Sequence, residues 1–389
     1  MSAQSLALRD RVPSDGTGAL PAASDLDPVA RVLYHGSVAA DYGLRTGLAS
    51  VLSAAMLPAA LRDWSGEERR RLEFYAELGA ARDQATVFAP PPPVKVRSEP
   101  GRGPGVDGGR VELLRFDSPY VALNPLLRRS YAAHSSNAVA RAQHWRHEDG
   151  PRRTLAVIHG FGASPAWFNT AFFSLKQFFA NGWDVLLYTL PFHGSRRSNT
   201  LAVNGTDLFA HGMAQFSEGI VHAIHDFRAF MDHLEATGAP RVGVTGLSLG
   251  GYTSALLAAV EPRLDFAIPN AAVTWLPPLL NSWFPANLSA ALVRGISRTS
   301  DELLENALAL HSPLSYAPQL AKDRLMVVGG LGDRLAPPEQ SLLLWEHWDR
   351  PQLEWFPGSH IIHFGRGGYL DAMRSLMQGP TDKPSAMMV

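Results

Sequence analysis

The stretch RVGVTGLSLGGYT, from Arg241 to Thr253, decides the fold of this 389-residue chain. The valines at its start predict a short buried strand, and the pattern SALLAAVEPR that follows predicts a helix. The chain therefore turns sharply from a strand into a helix at Ser248. Gly246 and Gly250 stand two residues before and after this serine, where a strained turn leaves little room for side chains.

Two later strands end near residues that carry acid–base chemistry. The apolar stretch Arg324–Gly329 runs into GLGDRLAPPE, which contains Asp333. The stretch Gln352–Phe356 runs into PGSHIIHFG, which contains His360. Strands alternate with helices along this half of the chain, and this alternation favours a parallel, doubly wound α/β sheet with its functional residues at the carboxyl ends of the strands.

The G-x-S-x-G turn, followed by an acid and then a histidine, resembles the α/β-hydrolase superfamily from about Val111 to about Met377. The resemblance implies an α/β-hydrolase fold with a mostly parallel sheet. It also implies a catalytic triad in which His360 takes the proton of Ser248 and Asp333 orients the imidazole.

Two alternatives compete with this assignment of the triad. Asp333 lies in a Gly-Asp-Arg sequence and could instead cap its own turn. His363 lies three residues after His360 and is a second candidate for the base. We favour His360 because small residues precede it directly at the end of the last strand.

The same resemblance implies an oxyanion hole made of backbone N–H groups. Leu249 follows the serine directly, and Phe161 lies in His-Gly-Phe-Gly after a buried strand. This sequence departs from the His-Gly-Gly-Gly of some lipases, so the second donor is left open. For substrate contacts we name five further candidates: His159, Trp275, Trp283, Phe284 and His363.

Composition shifts predict the domain organisation. A helical cap is expected because the apolar residues after 270 exceed what a short connection needs. An N-terminal helical extension is expected to cover the sheet. The predicted segments are a mobile tail at 1–27, a helical extension at 28–89, a Pro/Gly-rich linker at 90–109, a catalytic domain at 110–379 with a cap at 270–318, and a flexible terminus at 380–389.

Local patterns add three expectations about helices. Asp27 and Pro28 predict a helix start, and Ser65–Glu68 predicts a capping box. The apolar stripe from Trp167 to Phe179 predicts one helix. The apolar run Gly47–Leu61 is short for a membrane span and predicts a packed helix, with contact to a membrane surface as a weaker alternative.

Charge and cysteine content exclude several classes of function. Lys and Arg total 35 against 36 for Asp and Glu, so no basic field predicts nucleic-acid binding. The chain has no cysteine, and His222 and His225 lack a third ligand cluster, so we expect neither a metal nor a cofactor. The start of the sequence has no apolar leader, which predicts a cytoplasmic protein. Nothing in the sequence predicts the oligomeric state.

These observations predict a serine hydrolase that acts on a small, partly apolar acyl substrate (an ester, thioester or amide) through an acyl-enzyme. Two alternatives on the same triad are acyl transfer to an alcohol and hydrolysis of a carbon–carbon bond. A third, from a different class, is a non-catalytic binding protein that retains the fold.

Overall fold

The structure of the chain is a computed structural model. It describes residues 20, 24, 26–61, 63, 66–81, 83–103, 106–198, 203–365 and 367–379. The predicted tail at 1–27 lies almost wholly outside the described residues, and the predicted terminus at 380–389 lies wholly outside them. Both stay predictions.

Nine strands form one sheet in the described part of the chain. They are β1 Arg97–Pro100, β2 Gly109–Asp117, β3 Val139–His147, β4 Thr154–Ile158, β5 Asp184–Thr189, β6 Val242–Leu247, β7 Ala267–Asn270, β8 Met326–Gly330 and β9 Gln352–Phe356. Their spatial order is β1-β2-β3-β5-β4-β6-β7-β8-β9. Strands β4 to β9 pair in parallel, whereas β1, β2 and β3 pair antiparallel. The predicted mostly parallel sheet is therefore confirmed, and β1, β2 and β3 add an antiparallel part at one side of it.

Helices cover both faces of this sheet. They are α1 Pro28–Ala60, α2 Glu67–Ala81, α3 Gln84–Val87, α4 Arg128–Ala132, α5 Ala166–Phe172, α6 Leu175–Ala180, α7 Met213–Ala236, α8 Leu249–Val260, α9 Leu276–Ser282, α10 Ala286–Ser297, α11 Asp301–Ala309, α12 Pro338–His347 and α13 Gly367–Gln378. Along β4, Ala156 and Ile158 face one hydrophobic core, whereas Leu155 and Val157 face the other. Parallel strands that are buried on both faces need this continuous apolar sequence.

The N-terminal helices follow the predicted extension. The Asp27 carboxylate accepts hydrogen bonds from the N–H groups of Val29 and Ala30, so the helix starts where the sequence predicts. The start of α2 has a cap from a residue before the predicted capping box. Asp63 accepts from the N–H groups of Glu67 and Glu68 at 2.7 and 3.0 Å and caps this helix, whereas Ser65 of the predicted capping box lies outside the described residues.

Two further expectations are corrected. The stripe from Trp167 to Phe179 forms two helices, α5 and α6, because Ser174 between them adopts a left-handed conformation with φ of 55°. Trp167 is 74% exposed and does not join the apolar stripe. The predicted linker at 90–109 contains β1, which pairs with β2 as an exposed edge strand.

The helix α1 contains nearly all of the apolar run Gly47–Leu61, which is short for a membrane span. None of the described helices is both long enough and apolar enough to cross a membrane. On the inner side of α1, Ser37, Asp41, Ala49 and Leu52 are buried. Their spacing follows the helical period, so this helix packs against the body of the protein along one face.

Candidate active site

Ser248 occupies the turn between β6 and α8, with φ of 57° and ψ of −111°. This conformation is strained for a residue with a side chain. A Cβ atom on Gly246 would collide with the backbone of Gly250 across the turn, and one on Gly250 would collide with the backbone of Ile158 at the end of β4. The Ser248 N–H donates to the Asn270 carbonyl at 3.0 Å, which anchors the turn to β7. The turn therefore projects one serine from the end of a central strand.

Asp333 follows β8 and is fully buried. Its Oδ1 atom accepts hydrogen bonds from the N–H groups of Leu335 and Ala336 at 2.9 and 2.7 Å. Its Oδ2 atom contacts Nδ1 of His360 at 2.7 Å. One oxygen therefore caps the local turn while the other contacts a histidine, so the two interpretations from the sequence do not exclude each other.

His360 follows β9 and is 4% exposed. Burial acts to lower the pKa of His360, but the charge and hydrogen bond of Asp333, together with the charge of Asp41, raise this pKa above the ordinary histidine value. Asp333 contacts Nδ1, and no hydrogen bond joins the other ring nitrogen, Nε2, to a residue that the structure describes. The imidazole therefore has one nitrogen held by an acid and one available for proton transfer.

His363 has different surroundings. Its ring stacks on Phe356 with centroids 3.6 Å apart, and its Nδ1 atom contacts the Tyr369 hydroxyl at 3.1 Å. Its Nε2 atom lies 3.3 Å from the backbone oxygen of His360. The residue lies in the loop before α13, which begins at Gly367. These contacts pack His363 within the loop that carries His360, and its predicted substrate contact stays a prediction.

Ser248, Asp333 and His360 follow strands β6, β8 and β9, which run parallel. The carboxyl ends of parallel strands meet at one edge of a sheet, so all three residues lie along that edge. No hydrogen bond joins the Ser248 hydroxyl to the imidazole among the described residues. Such hydrogen bonds are often long before a substrate binds.

The loop after β4 passes beside the serine. A Cβ atom on Gly160 would lie 3.5 Å from the Cβ atom of Ser248, so the next residue, Phe161, has its backbone close to the turn. Leu249 is the first residue of α8, and its N–H therefore has no acceptor within the helix. Both predicted oxyanion donors are thus brought near Ser248.

His159 holds this loop instead of facing a substrate. Its Nδ1–H donates to the Gly160 carbonyl at 2.8 Å, and its Nε2 atom accepts the N–H of Leu190 at 3.2 Å. Burial lowers its pKa to about 4, which keeps the ring neutral. With both ring nitrogens bonded and the ring 3% exposed, the prediction of substrate contact by His159 is corrected to a loop-fixing role.

An apolar cavity of about 60 Å³ lies at Ser248. Its walls come from helices α1, α7, α8 and α9 and from the loops next to them, as follows: Leu48, Leu52, Phe161, Phe209, Phe216, Leu249, Tyr252, Val273, Leu276, Leu279, Leu280 and Trp283. Of the three aromatic residues that the sequence proposed for substrate contact in the cap, Trp283 lines the cavity. Phe284 is instead 60% exposed. Trp275 precedes α9, and its backbone N–H donates to Oε1 of Gln340.

Sequence reasoning missed Asp41. This residue of α1 is 1% exposed, and its Oδ2 atom accepts the N–H groups of Arg334 and His360 at 2.9 and 3.0 Å. The available signal was its spacing, since Asp41 shares a helical face with Ser37, Leu48 and Leu52. A lone acid on such a face indicates a specific partner.

Comparison with known proteins agrees with this architecture. The model described as Alpha/beta hydrolase family matches residues 155–372, which is more than half of the chain. Uncharacterized proteins from two strains of Mycobacterium tuberculosis, CDC 1551 / Oshkosh and ATCC 25618 / H37Rv, are each 30% identical over 315 residues. In each case the alignment covers 77% of this chain and 71% of the relative.

Two solved structures are similar in fold. Acetyl xylan esterase 1 from Thermoanaerobacterium sp. JW/SL YS485 has a TM-score of 0.55 at 17% identity, and the match covers 79% of this chain and 98% of that one. An acetyl xylan esterase from Paenibacillus sp. R4 has a TM-score of 0.53 at 14% identity, covering 79% and 93%. At these identities the likeness concerns the arrangement of the elements.

Proposed function

The chain belongs to the alpha/beta hydrolase family, and from this premise we propose that it is a serine hydrolase that cleaves an ester, thioester or amide through an acyl-enzyme on Ser248. The observation that carries the proposal is the 2.7 Å contact between His360 Nδ1 and Asp333 Oδ2. It leaves the imidazole with a fixed tautomer beside the strand end that presents a strained serine.

The proposed reaction follows from these positions. Nε2 of His360 takes the hydroxyl proton as Ser248 Oγ attacks the acyl carbon, and Asp333 stabilises the resulting imidazolium. The N–H groups of Leu249 and Phe161 stabilise the negative oxygen of the tetrahedral intermediate. The leaving group then accepts the proton from His360, and a water molecule activated by the same imidazole releases the acid.

The cavity supports the substrate class. Its described lining consists almost wholly of aliphatic and aromatic side chains around the serine, so it favours an apolar group on the substrate. Acyl transfer to an alcohol would use the same acyl-enzyme. The two reactions are distinguished by their products, because hydrolysis releases the free acid in the presence of a competing alcohol.

Reaction with a fluorophosphonate tests the proposal directly. The Ser248 oxygen would form a bond to phosphorus as the bond to fluorine breaks, and His360 would take the serine proton. We expect one adduct per chain, located at Ser248 by peptide mass spectrometry. A folded protein that gives no adduct, and that hydrolyses no member of a panel of esters and thioesters, would instead be a binding protein of this fold.

Asp333→Asn is expected to lower kcat about 10⁴-fold, because an amide donor opposite Nδ1 favours the wrong imidazole tautomer. The amide oxygen can still accept the N–H groups of Leu335 and Ala336, so the turn and the fold are expected to persist. Steady-state kinetics with a thermal melt measures both effects. The control is Asp349→Asn at a carboxylate that is 93% exposed. A near-neutral Asp333→Asn would contradict the assigned triad.

Trp283→Ala is expected to change which acyl chains the protein accepts. Removing the indole enlarges the cavity, so the ratio of kcat/KM for hexanoate over acetate esters should rise by about tenfold or more. The adjacent Phe284→Ala removes an aromatic ring that points to solvent and serves as the matched control. Equal changes for all chain lengths would limit Trp283 to a packing role.

A further inference from the structure

The buried carboxylate of Asp41 lies outside the family match at 155–372, on the N-terminal helix. Burying a charged side chain is costly unless it is paired or hydrogen-bonded. Its Oδ1 atom is buried and has no hydrogen-bond partner among the residues that the structure describes. Stability alone would be served better here by an apolar residue, so the retained acid needs another explanation.

The Oδ2 atom joins two loops that both carry candidate catalytic residues. It accepts the N–H of Arg334, the residue after Asp333, at 2.9 Å. It also accepts the N–H of His360 at 3.0 Å. A single oxygen atom therefore sets the spacing between the backbone of the acid loop and the backbone of the base.

We propose that Asp41 is a positioning residue of the active site, which aligns His360 with Asp333 and supplies a negative charge beside the imidazole. This inference rests on the proposed function. It makes the N-terminal extension part of the catalytic machinery. The extension is also expected to cover the sheet.

Other contacts of α1 reinforce this placement. Tyr34 accepts a hydrogen bond from the Arg334 guanidinium at 3.3 Å, and a Cβ atom on Gly332 would lie 3.1 Å from Val38. Leu48 and Leu52, further along the same face, line the cavity at Ser248. One helix thus borders both the catalytic loops and the substrate cavity.

The charged side chains that act on the imidazole of His360 are those of Asp333 and Asp41. Asp333 binds the imidazole, and Asp41 accepts the backbone N–H of the same residue. Burial acts to lower the pKa of His360, and the charges of both carboxylates raise it. His363 contacts the backbone oxygen of His360. The Arg334 guanidinium is directed to Tyr34, and the guanidinium of Arg45, one turn beyond Asp41, lies over Tyr42. The two carboxylates therefore favour the imidazolium that forms as Ser248 loses its proton.

The test is the second-order rate of fluorophosphonate labelling of Ser248 as a function of pH, measured on the full chain. Asp41→Ala removes both the acceptor and the charge, and we expect the labelling rate at the plateau to fall about 10²-fold. Asp41→Asn keeps an acceptor oxygen for the two N–H groups but removes the charge. Its rate should be partly restored, with the acidic limb of the profile displaced to lower pH because the pKa of His360 falls.

Ser37→Ala is the matched control. Ser37 is 3% exposed one turn earlier on the same face, and its hydroxyl donates to the Tyr34 carbonyl within the helix. We expect this variant to label at the wild-type rate with the wild-type pH profile. It reports any general effect of disturbing the packing of α1.

The outcomes separate this inference from the proposed function. A folded wild-type protein that does not label at Ser248 overturns both. Wild-type labelling with unchanged rates and unchanged pH profiles in both Asp41 variants overturns only the role of Asp41. A purely structural role would lower the labelled fraction without moving the rate or the pH profile of the molecules that fold. If Asp41→Ala does not fold, the displaced acidic limb of Asp41→Asn decides the question.

Discussion

Ser248→Ala is expected to lower kcat about 10⁶-fold, the size of effect seen when the nucleophile of a serine triad is removed. The change deletes one hydroxyl oxygen and leaves the backbone of the turn in place, including the hydrogen bond from the residue 248 N–H to Asn270. The substituted protein should therefore keep its melting temperature. Initial rates on an ester that the wild-type protein hydrolyses, with circular dichroism on the same samples, measure both quantities.

Ser254→Ala provides the control for this substitution. Ser254 lies in α8 and is fully buried, with its hydroxyl donating to the Gly250 carbonyl. We expect at most a modest loss of stability and nearly normal turnover. Activity of Ser248→Ala near the wild-type level would remove the acyl-enzyme from the mechanism.

His360→Ala is expected to be as damaging as loss of the serine, because in a triad neither the nucleophile nor the base works alone. Single-turnover kinetics should show no burst of acylation. In the wild-type protein kcat/KM should fall as pH decreases through the pKa of His360, because protonation removes the base. Asp333 and Asp41 raise that pKa, so the acidic limb should lie above the ordinary histidine value.

His363→Ala separates base catalysis from packing. This ring stacks on Phe356 and contacts Tyr369, so its removal should lower the free energy of unfolding by about 1 kcal/mol while acylation persists. An inactive but folded His363→Ala beside an active His360→Ala would reverse the assignment. Loss of acylation in both folded variants would show instead that the position of the loop depends on the His363 ring.

The central part of the fold was predictable because its signals are local. A strand buried on both faces needs a continuous apolar run, and a serine at φ of 57° needs glycines around it, so β4 and the Ser248 turn are visible in the sequence. Asp333 and His360 were predictable from their positions after strands. Their mutual contact depends on the pairing of β8 with β9, which no local pattern contains.

The features that sequence reasoning missed depend on tertiary contacts. Ser174 interrupts an apolar stripe by adopting a left-handed conformation, although nothing in its residue type requires this. Phe284 is as apolar as Trp283 next to it, yet the geometry at the end of α9 turns one ring inward and the other outward. The spacing of Asp41 places it on the buried face of α1, but its partners Arg334 and His360 lie 293 and 319 residues away and no local pattern identifies them.

The hydrogen bonds of Asp41 also have a consequence for the timing of synthesis. Asp41 lies 293 residues before Arg334 and 319 residues before His360. At translation rates of about 5–20 residues per second, the helix is made tens of seconds before its partners exist. If the active site needs these hydrogen bonds, a chain that is still being synthesised has no activity. Turnover would begin only when the last strand has paired and the first helix has docked against it.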